Sequence, residues 1–309
     1  MINVLHITKE QILYYISKAE YFKQENTNYD ALKNKTLINI FFEPSTRTSC
    51  SFQKAMINLG GNVINIAEKY SSVEKGESFE DTIKTISNYG DIIVLRHPKK
   101  GSAEIASNVA TIPVINAGDG NGEHPTQALL DIFTIKTELI KYELDICSLD
   151  RTEIVVTFMG DLKNSRTIHS LIHVLCLFPK ISFIYINPTG LEMPQEINNK
   201  LSSLNISFVK GDTLENALKT TDILYVTRIQ KERFESEEDY NAIMLENNYI
   251  INKNILQYAK QNMIIMHPLP RLNEIDVDVD KDSRAVYFKQ VQNGIYMRMA
   301  ILHSILNIN

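Results

Sequence analysis

One stretch restricts the fold more than any other: Thr36 to Gly61, TLINIFFEPSTRTSCSFQKAMINLGG. Leu37 to Phe42 is almost continuously apolar, the composition of a short strand buried on both faces. Pro44 stops it, and Phe52, Ala55, Met56 and Leu59 then recur at the i, i+3, i+4, i+7 spacing of a helix with one apolar face. Gly60 and Gly61 close that helix as C-cap residues. A doubly buried strand that feeds straight into an amphipathic helix belongs in a parallel sheet covered by helices.

The same alternation repeats along the chain. Residues 8–22 have helical spacing, with Thr8 as N-cap and Gln11 three residues on. Asn62–Ile66 reads as a strand, Ala67–Gly76 as a loop, 78–89 as a helix, and Asp91–Leu95 as a buried strand ending on Arg96-His97-Pro98. A helix near 102–109, a strand at Ile112–Ile115 and a helix from Pro125 to about Lys141 follow. Leu144–Thr152 reads as a junction, after which the pattern restarts. Strands are expected at Glu153–Met159, Ile181–Ile186, Ile206–Val209, Asp222–Val226 and Met263–Met266, with helices between them, including 167–178, and a helical tail at Val286–Asn307. The expected fold is α/β: two doubly wound parallel-sheet domains with a cleft between them, bridged by the central helix and the C-terminal helix. The first domain spans 1–143 and is completed by 286–309; the second spans 144–285.

Bulk properties narrow the function classes. A length of 309 residues suits two domains. The net charge of -5 argues against general nucleic-acid binding, so any cation cluster is local and specific. Cys50, Cys147 and Cys176 show neither pairing nor metal-ligand spacing, and read as reduced core thiols of a cytoplasmic protein. The N-terminus lacks the basic flank and apolar stretch of a signal peptide, and no apolar run is long enough to span a bilayer.

Chemistry-bearing residues fall where strands end. Ser45, Thr46, Arg47 and Thr48 sit between a strand and a helix N-terminus, where free N–H groups and a partial positive charge favour a phosphate or carboxylate. Ser-Thr before a helix is equally the pattern of a plain N-cap. In doubly wound sheets ligands lie beyond the carboxyl ends of strands, so Arg96 joins Arg47 at one edge. His124, before Pro125, and Gln127 share one helix start, a pattern that a structural His-Pro helix start also fits. Lys75, flanked by Glu74 and Glu77, has no evident target in its own chain. The second half carries Arg166, Arg228 and Arg271 after strands, with Gln230 beside Arg228 and the stiff His267-Pro268-Leu269-Pro270 run after the last strand. No G-x-G-x-x-G dinucleotide fingerprint occurs.

The motifs FFEPSTRTS, SSVEKGES, VLRHP, HPTQALLDIFTI, GDLKNSRTIHSL, DILYVTRIQKERF and HPLPR, in this order from Phe41 to Arg271, closely resemble the catalytic chain of the aspartate carbamoyltransferase family. The resemblance implies carbamoyl transfer from carbamoyl phosphate to L-aspartate, an early step of pyrimidine synthesis, with no metal and no cofactor. It implies that Ser45, Thr46, Arg47 and Thr48 hold phosphate, and that Thr48, Arg96 and His124 bond the carbamoyl oxygen. Gln127 and the main-chain carbonyls of Pro268 and Leu269 hold the carbamoyl nitrogen. Arg166, Thr167, Arg228, Gln230 and Leu269 grip aspartate. Ser71 and Lys75 serve a neighbouring subunit's site, Lys75 reaching the aspartate, which implies a homotrimer with shared sites. Regulatory chains or a dihydroorotase as partners stay open; nucleic acid and membrane are not expected. The sister branch uses ornithine, and its loop cysteine is replaced here by Pro268. A catalytically silent scaffold with the same fold is the alternative of a different class.

Overall fold

A computed structural model describes residues 1–24, 30–67, 76–120, 122–148, 150, 152–234, 236–246 and 250–307. The chain divides into two compact units, Met1–Phe133 with Val291–Asn309, and Thr134–Gln290. Both divisions fall inside helices, α5 (Pro125–Leu139) and α10 (Tyr287–Leu306).

The first unit opens with α1 (Lys9–Gln24) and continues as β1 (Thr36–Phe41), α2 (Thr46–Asn58), β2 (Asn62–Ala67), α3 (Phe79–Ile86), β3 (Ile92–His97), α4 (Ser102–Val109) and β4 (Val114–Asp119). Its sheet runs β2-β1-β3-β4, and every neighbouring pair is parallel. One face is filled by Ile38, Ile40, Ile83, Ile93 and Leu95, all buried, the branched side chains of a two-faced strand set. α2 ends as the double glycine foretells. Gly60 sits at φ +80°. Its N–H donates to the Ile57 carbonyl, while the Gly61 N–H donates to that of Met56, both at 3.0 Å. This is the paired bonding of a Schellman turn. α10 returns to this unit, where Lys23 donates to the Asn293 side chain at 3.1 Å and the His303 ring meets Phe22 edge-on.

Three details differ from the sequence reading. β3 extends through His97, so Arg96 lies within the strand, opposite Phe41, instead of after it. β4 runs Val114–Asp119, displaced from Ile112–Ile115 into the glycine-rich segment. Its buried polar residues are hydrogen-bonded: the Gly118 N–H donates to Asn116 Oδ1 at 2.8 Å, and Asn116 Nδ2 donates to the Ile2 carbonyl at 2.8 Å. Apolar patterning could not reveal a strand built on such bonds. Third, the cysteines are free but none is a core thiol: Cys50 is exposed, and Cys147 and Cys176 are half-buried.

The second unit contains β5 (Ile154–Met159), α6 (Arg166–Leu175), β6 (Ile181–Ile186), α7 (Gln195–Ser203), β7 (Phe208–Lys210), α8 (Leu214–Thr220), β8 (Ile223–Val226), α9 (Glu237–Glu246) and β9 (Ile264–Met266). All five strands are parallel in the order β7-β6-β5-β8-β9. α6 starts at Arg166 and stops at Leu175, three residues short of the patterned run, and β7 falls slightly later than Ile206–Val209. Leu218, Leu224, Val226, Met263, Ile265 and Tyr287 form the core on one side. Among the described residues no helix is long and apolar enough to cross a membrane.

Gly160 follows β5 at φ +114°, where a Cβ would stand 2.1 Å from the Thr227 carbonyl oxygen. That close approach lets the Thr227 N–H donate to the Met159 carbonyl at 2.8 Å, clamping the ends of β5 and β8. Gly160→Ala is expected to lower stability by at least about 2 kcal/mol, since it combines left-handed strain with a backbone clash. Urea unfolding of the two chains under identical conditions checks it.

Candidate active site

In the first sheet the strand order reverses between β1 and β3, the position where open α/β sheets leave a crevice. The chain leaves β1 at Phe41 and enters α2 at Thr46, so Ser45 is the N-cap and Thr46, Arg47 and Thr48 form the first helical turn. The Ser45 side chain makes no capping bond. The first helical bond is Ser49 N–H to the Ser45 carbonyl, 3.1 Å, so the N–H groups ahead of it have no helix carbonyl to meet. Ser45 is thus not acting as a side-chain cap. Thr46 and Arg47 are exposed and Thr48 is buried.

Arg96 lies on the neighbouring strand β3, opposite Phe41. Its carbonyl accepts the Phe42 N–H at 2.8 Å, and its Nη2 lies 2.5 Å from Glu43 Oε1. His97 is structural: its Nδ1 accepts the Lys99 N–H at 3.0 Å, and its ring packs against Phe42 and Phe79. The segment leading to His124 is pinned to this strand end. Gly120 donates to the His97 carbonyl at 2.8 Å, and a Cβ on it would stand 2.3 Å from the Pro98 carbonyl oxygen. The Asp119 carboxylate collects the N–H groups of Gly101 and Glu123, each at 2.9 Å. His124 is buried just before α5, and its carbonyl accepts the Gln127 N–H at 3.0 Å. Gln127 is buried one turn in, its Nε2 donating to Asp131 Oδ1 at 2.9 Å. Arg96 is thus tied to Glu43, three residues before α2, and the loop carrying His124 is fastened to the end of β3.

The second sheet reverses between β5 and β8. Arg166 and Thr167 open α6 after β5, and Arg228 and Gln230 follow β8, all four half-buried. Asp161, fully buried, ties the two loops together. It accepts the N–H and Nδ2 of Asn164 and the backbone N–H of Gln230. Burial raises its pKa more than those bonds lower it. His169 Nε2 meets the Leu162 carbonyl at 2.7 Å, so that nitrogen carries the proton; burial lowers the His169 pKa.

β9 delivers Pro268 and Leu269 beside the β8 loop. Leu269 has φ +57°, a left-handed backbone held by its N–H donating to His267 Nδ1 at 2.8 Å. His267 Nε2 in turn donates to Glu274 Oε1 at 2.8 Å. Arg271 is not an open cation: it forks onto Asp280 and donates to Tyr287 Oη at 2.8 Å. Ser71 and Lys75 lie outside the described residues. The sequence reading missed the carboxylates Glu43, Asp119, Asp131 and Asp161. For Glu43, Asp131 and Asp161 the signal was only their place inside the motifs, and Asp119 lies outside all seven; a lone Asp or Glu reads as a solvated charge. Among the described residues no group of three or more His, Cys, Asp or Glu comes together to hold a metal ion.

These features define a two-unit, doubly wound α/β protein with arginines at both strand-order reversals. The carbamoyl-P binding domain of aspartate/ornithine carbamoyltransferase matches residues 1–137, and the Asp/Orn binding domain matches 152–305. The chain is 42% identical over 313 residues to the aspartate carbamoyltransferase catalytic subunit of Clostridium novyi (strain NT), covering 100% of this chain and 98% of that one. It is 46% identical over 309 residues to multifunctional protein CAD of Squalus acanthias, covering 99% of this chain but only 13% of that protein's length. The catalytic subunit of M. jannaschii aspartate transcarbamoylase superposes with TM-score 0.90 at 43% identity, covering 100% and 98% of the two chains. Aspartate transcarbamoylase from Trypanosoma cruzi, solved with carbamoyl phosphate and aspartate, superposes with TM-score 0.91 at 37% identity, covering 98% and 95%. The chain belongs to the aspartate/ornithine carbamoyltransferase family.

Glu274 generates a pH prediction. Burial pushes its carboxyl up, but the His267 bond and the Leu272 N–H outweigh burial and hold it below the ordinary 4.5. A depressed carboxyl contributes stability above its unfolded pKa and loses it as pH falls through the folded value. Stability is therefore expected to drop on acidification below about pH 4.5, and Glu274→Gln is expected to drop less steeply there. Urea midpoints measured across that range check the difference.

Proposed function

We propose that this chain transfers the carbamoyl group of carbamoyl phosphate to the amine of L-aspartate, giving N-carbamoyl-L-aspartate and phosphate for pyrimidine biosynthesis. The observation that carries the reading is the full-length match to an aspartate carbamoyltransferase catalytic subunit, 42% identical. The candidate anion groups at the two strand-order reversals agree with it.

In this reading Ser45, Thr46, Arg47 and Thr48 take the phosphate on the α2 N-terminus, as a helix start does for any oxyanion. Thr48, Arg96 and His124 donate to the carbamoyl oxygen, where negative charge builds as the amine attacks; losing one such donor costs about 10²–10³ in rate. Gln127 and the Pro268 and Leu269 carbonyls accept from the carbamoyl nitrogen. Arg166, Thr167, Arg228 and Gln230 grip the two carboxylates of aspartate, with Lys75 and Leu269 completing the grip. The aspartate amine attacks as the neutral base, the C–O bond to phosphate breaks, and the departing phosphate takes the amine proton. Arg96 and His124 are electrostatic donors, and holding two mutually repelling anions in register supplies the remainder. Ser71 and Lys75 act in a neighbouring copy's site, making the enzyme a cytoplasmic homotrimer, with regulatory chains or a dihydroorotase as its candidate partners.

Carbamoyl-product assays with aspartate, ornithine and putrescine side by side test the acceptor; turnover confined to ornithine or putrescine overturns the reading. Arg228→Ala is expected to raise the aspartate KM by roughly tenfold or more while sparing carbamoyl phosphate, and Arg47→Ala the reverse. Equal weakening of both ligands in either variant contradicts the division of labour. Mixed Lys75→Ala and Arg47→Ala chains are expected to show more activity than either variant alone, through hybrid sites, measured after co-refolding. No recovery argues against sharing.

A further inference from the structure

Asp131 has no role in the chemistry above, yet it is fully buried on α5 one turn beyond Gln127. Gln127 Nε2 donates to Asp131 Oδ1 at 2.9 Å, a buried bond. An ionised carboxylate only accepts, so the amide can meet it only through its NH₂ end. The opposite end, Oε1, receives no hydrogen bond among the described residues. The amide is thus polarised: donor inward, acceptor outward.

The buried charge that Asp131 acts on is the guanidinium of Arg298 in α10. Burial lowers its pKa to about 10 while Asp131 raises it, so the guanidinium stays charged at neutral pH. Its Nη1 donates to Ser51 Oγ at 2.9 Å, and its plane lies 5.0 Å from the Phe52 ring, both on α2. Gly294, one turn earlier, makes the room: a Cβ there would stand 2.7 Å from Arg298 Nη1 and 3.2 Å from Leu130 Cδ2. A buried path therefore runs from Gln127 through Asp131 and Arg298 to the helix whose first turn carries Thr46–Thr48.

We propose that Asp131, paired with Arg298, is a positioning residue that fixes Gln127 with its carbonyl oxygen toward the ligand, so that this subsite requires an N–H donor and rejects acyl phosphates bearing a methyl group there. The inference rests on the assignment of carbamoyl phosphate to the first unit. Acetyl phosphate is the matching probe: it has the same charge and nearly the same size, with CH₃ in place of NH₂. Opposite that methyl, Gln127 Oε1 loses its water and gains no partner, the penalty that lets a polar site refuse an apolar isostere.

The test compares the KM for carbamoyl phosphate with the competitive Ki for acetyl phosphate in the wild-type chain and in Asp131→Asn. Asparagine can offer either end of its amide, so Gln127 is no longer held one way. The ratio of Ki to KM is expected to fall about tenfold or more. A merely structural role lowers the melting temperature and leaves this ratio unchanged, because the ratio does not depend on the fraction of active enzyme; an unchanged ratio overturns the proposal. Should Asp131→Asn not fold, ¹⁵N-labelled glutamine side chains in the wild-type protein, with Gln127 assigned by its loss in Gln127→Met, supply the second reading. Gln127 amide protons that stay protected when carbamoyl phosphate is added support the proposal; protons that lose protection on binding overturn it. A wild-type chain that forms no carbamoyl-aspartate refutes the reaction assignment instead, so the two failures are distinct.

Discussion

The first unit depends on the open end of α2. A parallel sheet turns its chain from strand to helix at the carboxyl edge, and every such turn leaves N–H groups that the helix cannot use. At the starts of α3 and α8 a side chain, Ser78 or Thr213, caps them. Here the Ser45 hydroxyl does not, and the next three residues add two hydroxyls and a guanidinium around the same groups. β1 and β3 are neighbours at the point where the strand order reverses, so the helix start and Arg96 lie at the same edge of the sheet.

Much of the precision comes from carboxylates, an unexpected material for sites that favour anions. Asp119 holds the loop that precedes His124, and Asp161 spans from Asn164 to the Gln230 backbone. Glu43 sits against Arg96. Buried or half-buried acids cost desolvation energy unless donors surround them, so each one recruits N–H groups and immobilises the segment carrying them. Local positive sites and an overall charge of -5 are therefore compatible in one chain: several of the acids are the fasteners of the cationic loops.

The alternation of doubly buried strands and amphipathic helices was legible from Leu37 onward, because parallel strands covered on both faces write long apolar runs. Strand ends were less so. β4 extends through Asn116 and Asp119, whose burial is sustained by hydrogen bonds that hydrophobic patterning does not record. At the candidate site, arginines were visible because they follow apolar runs, and the seven motifs supplied the roles. Arg271 looked like one more strand-end cation, but its fork onto Asp280 arises from a residue nine positions away, beyond the reach of local spacing. Asp131 lay in plain view inside HPTQALLDIFTI with no role assigned to it, since its partner Arg298 comes from a different helix.

That distant partner has a consequence for biogenesis. α10 is the last helix described, and the portion from Val291 belongs to the unit that the first residues begin. A nascent chain that has emerged through α5 carries Asp131 and Ser51 without the guanidinium that occupies the space between them. A buried acid without its counter-charge costs about 3–5 kcal/mol, a large fraction of what a domain has to spare. Of the two units, the one begun earlier along this sequence is thus the later to be completed: it waits on the ribosome's arrival at Arg298, by which point the intervening unit has every strand of its own sheet in hand.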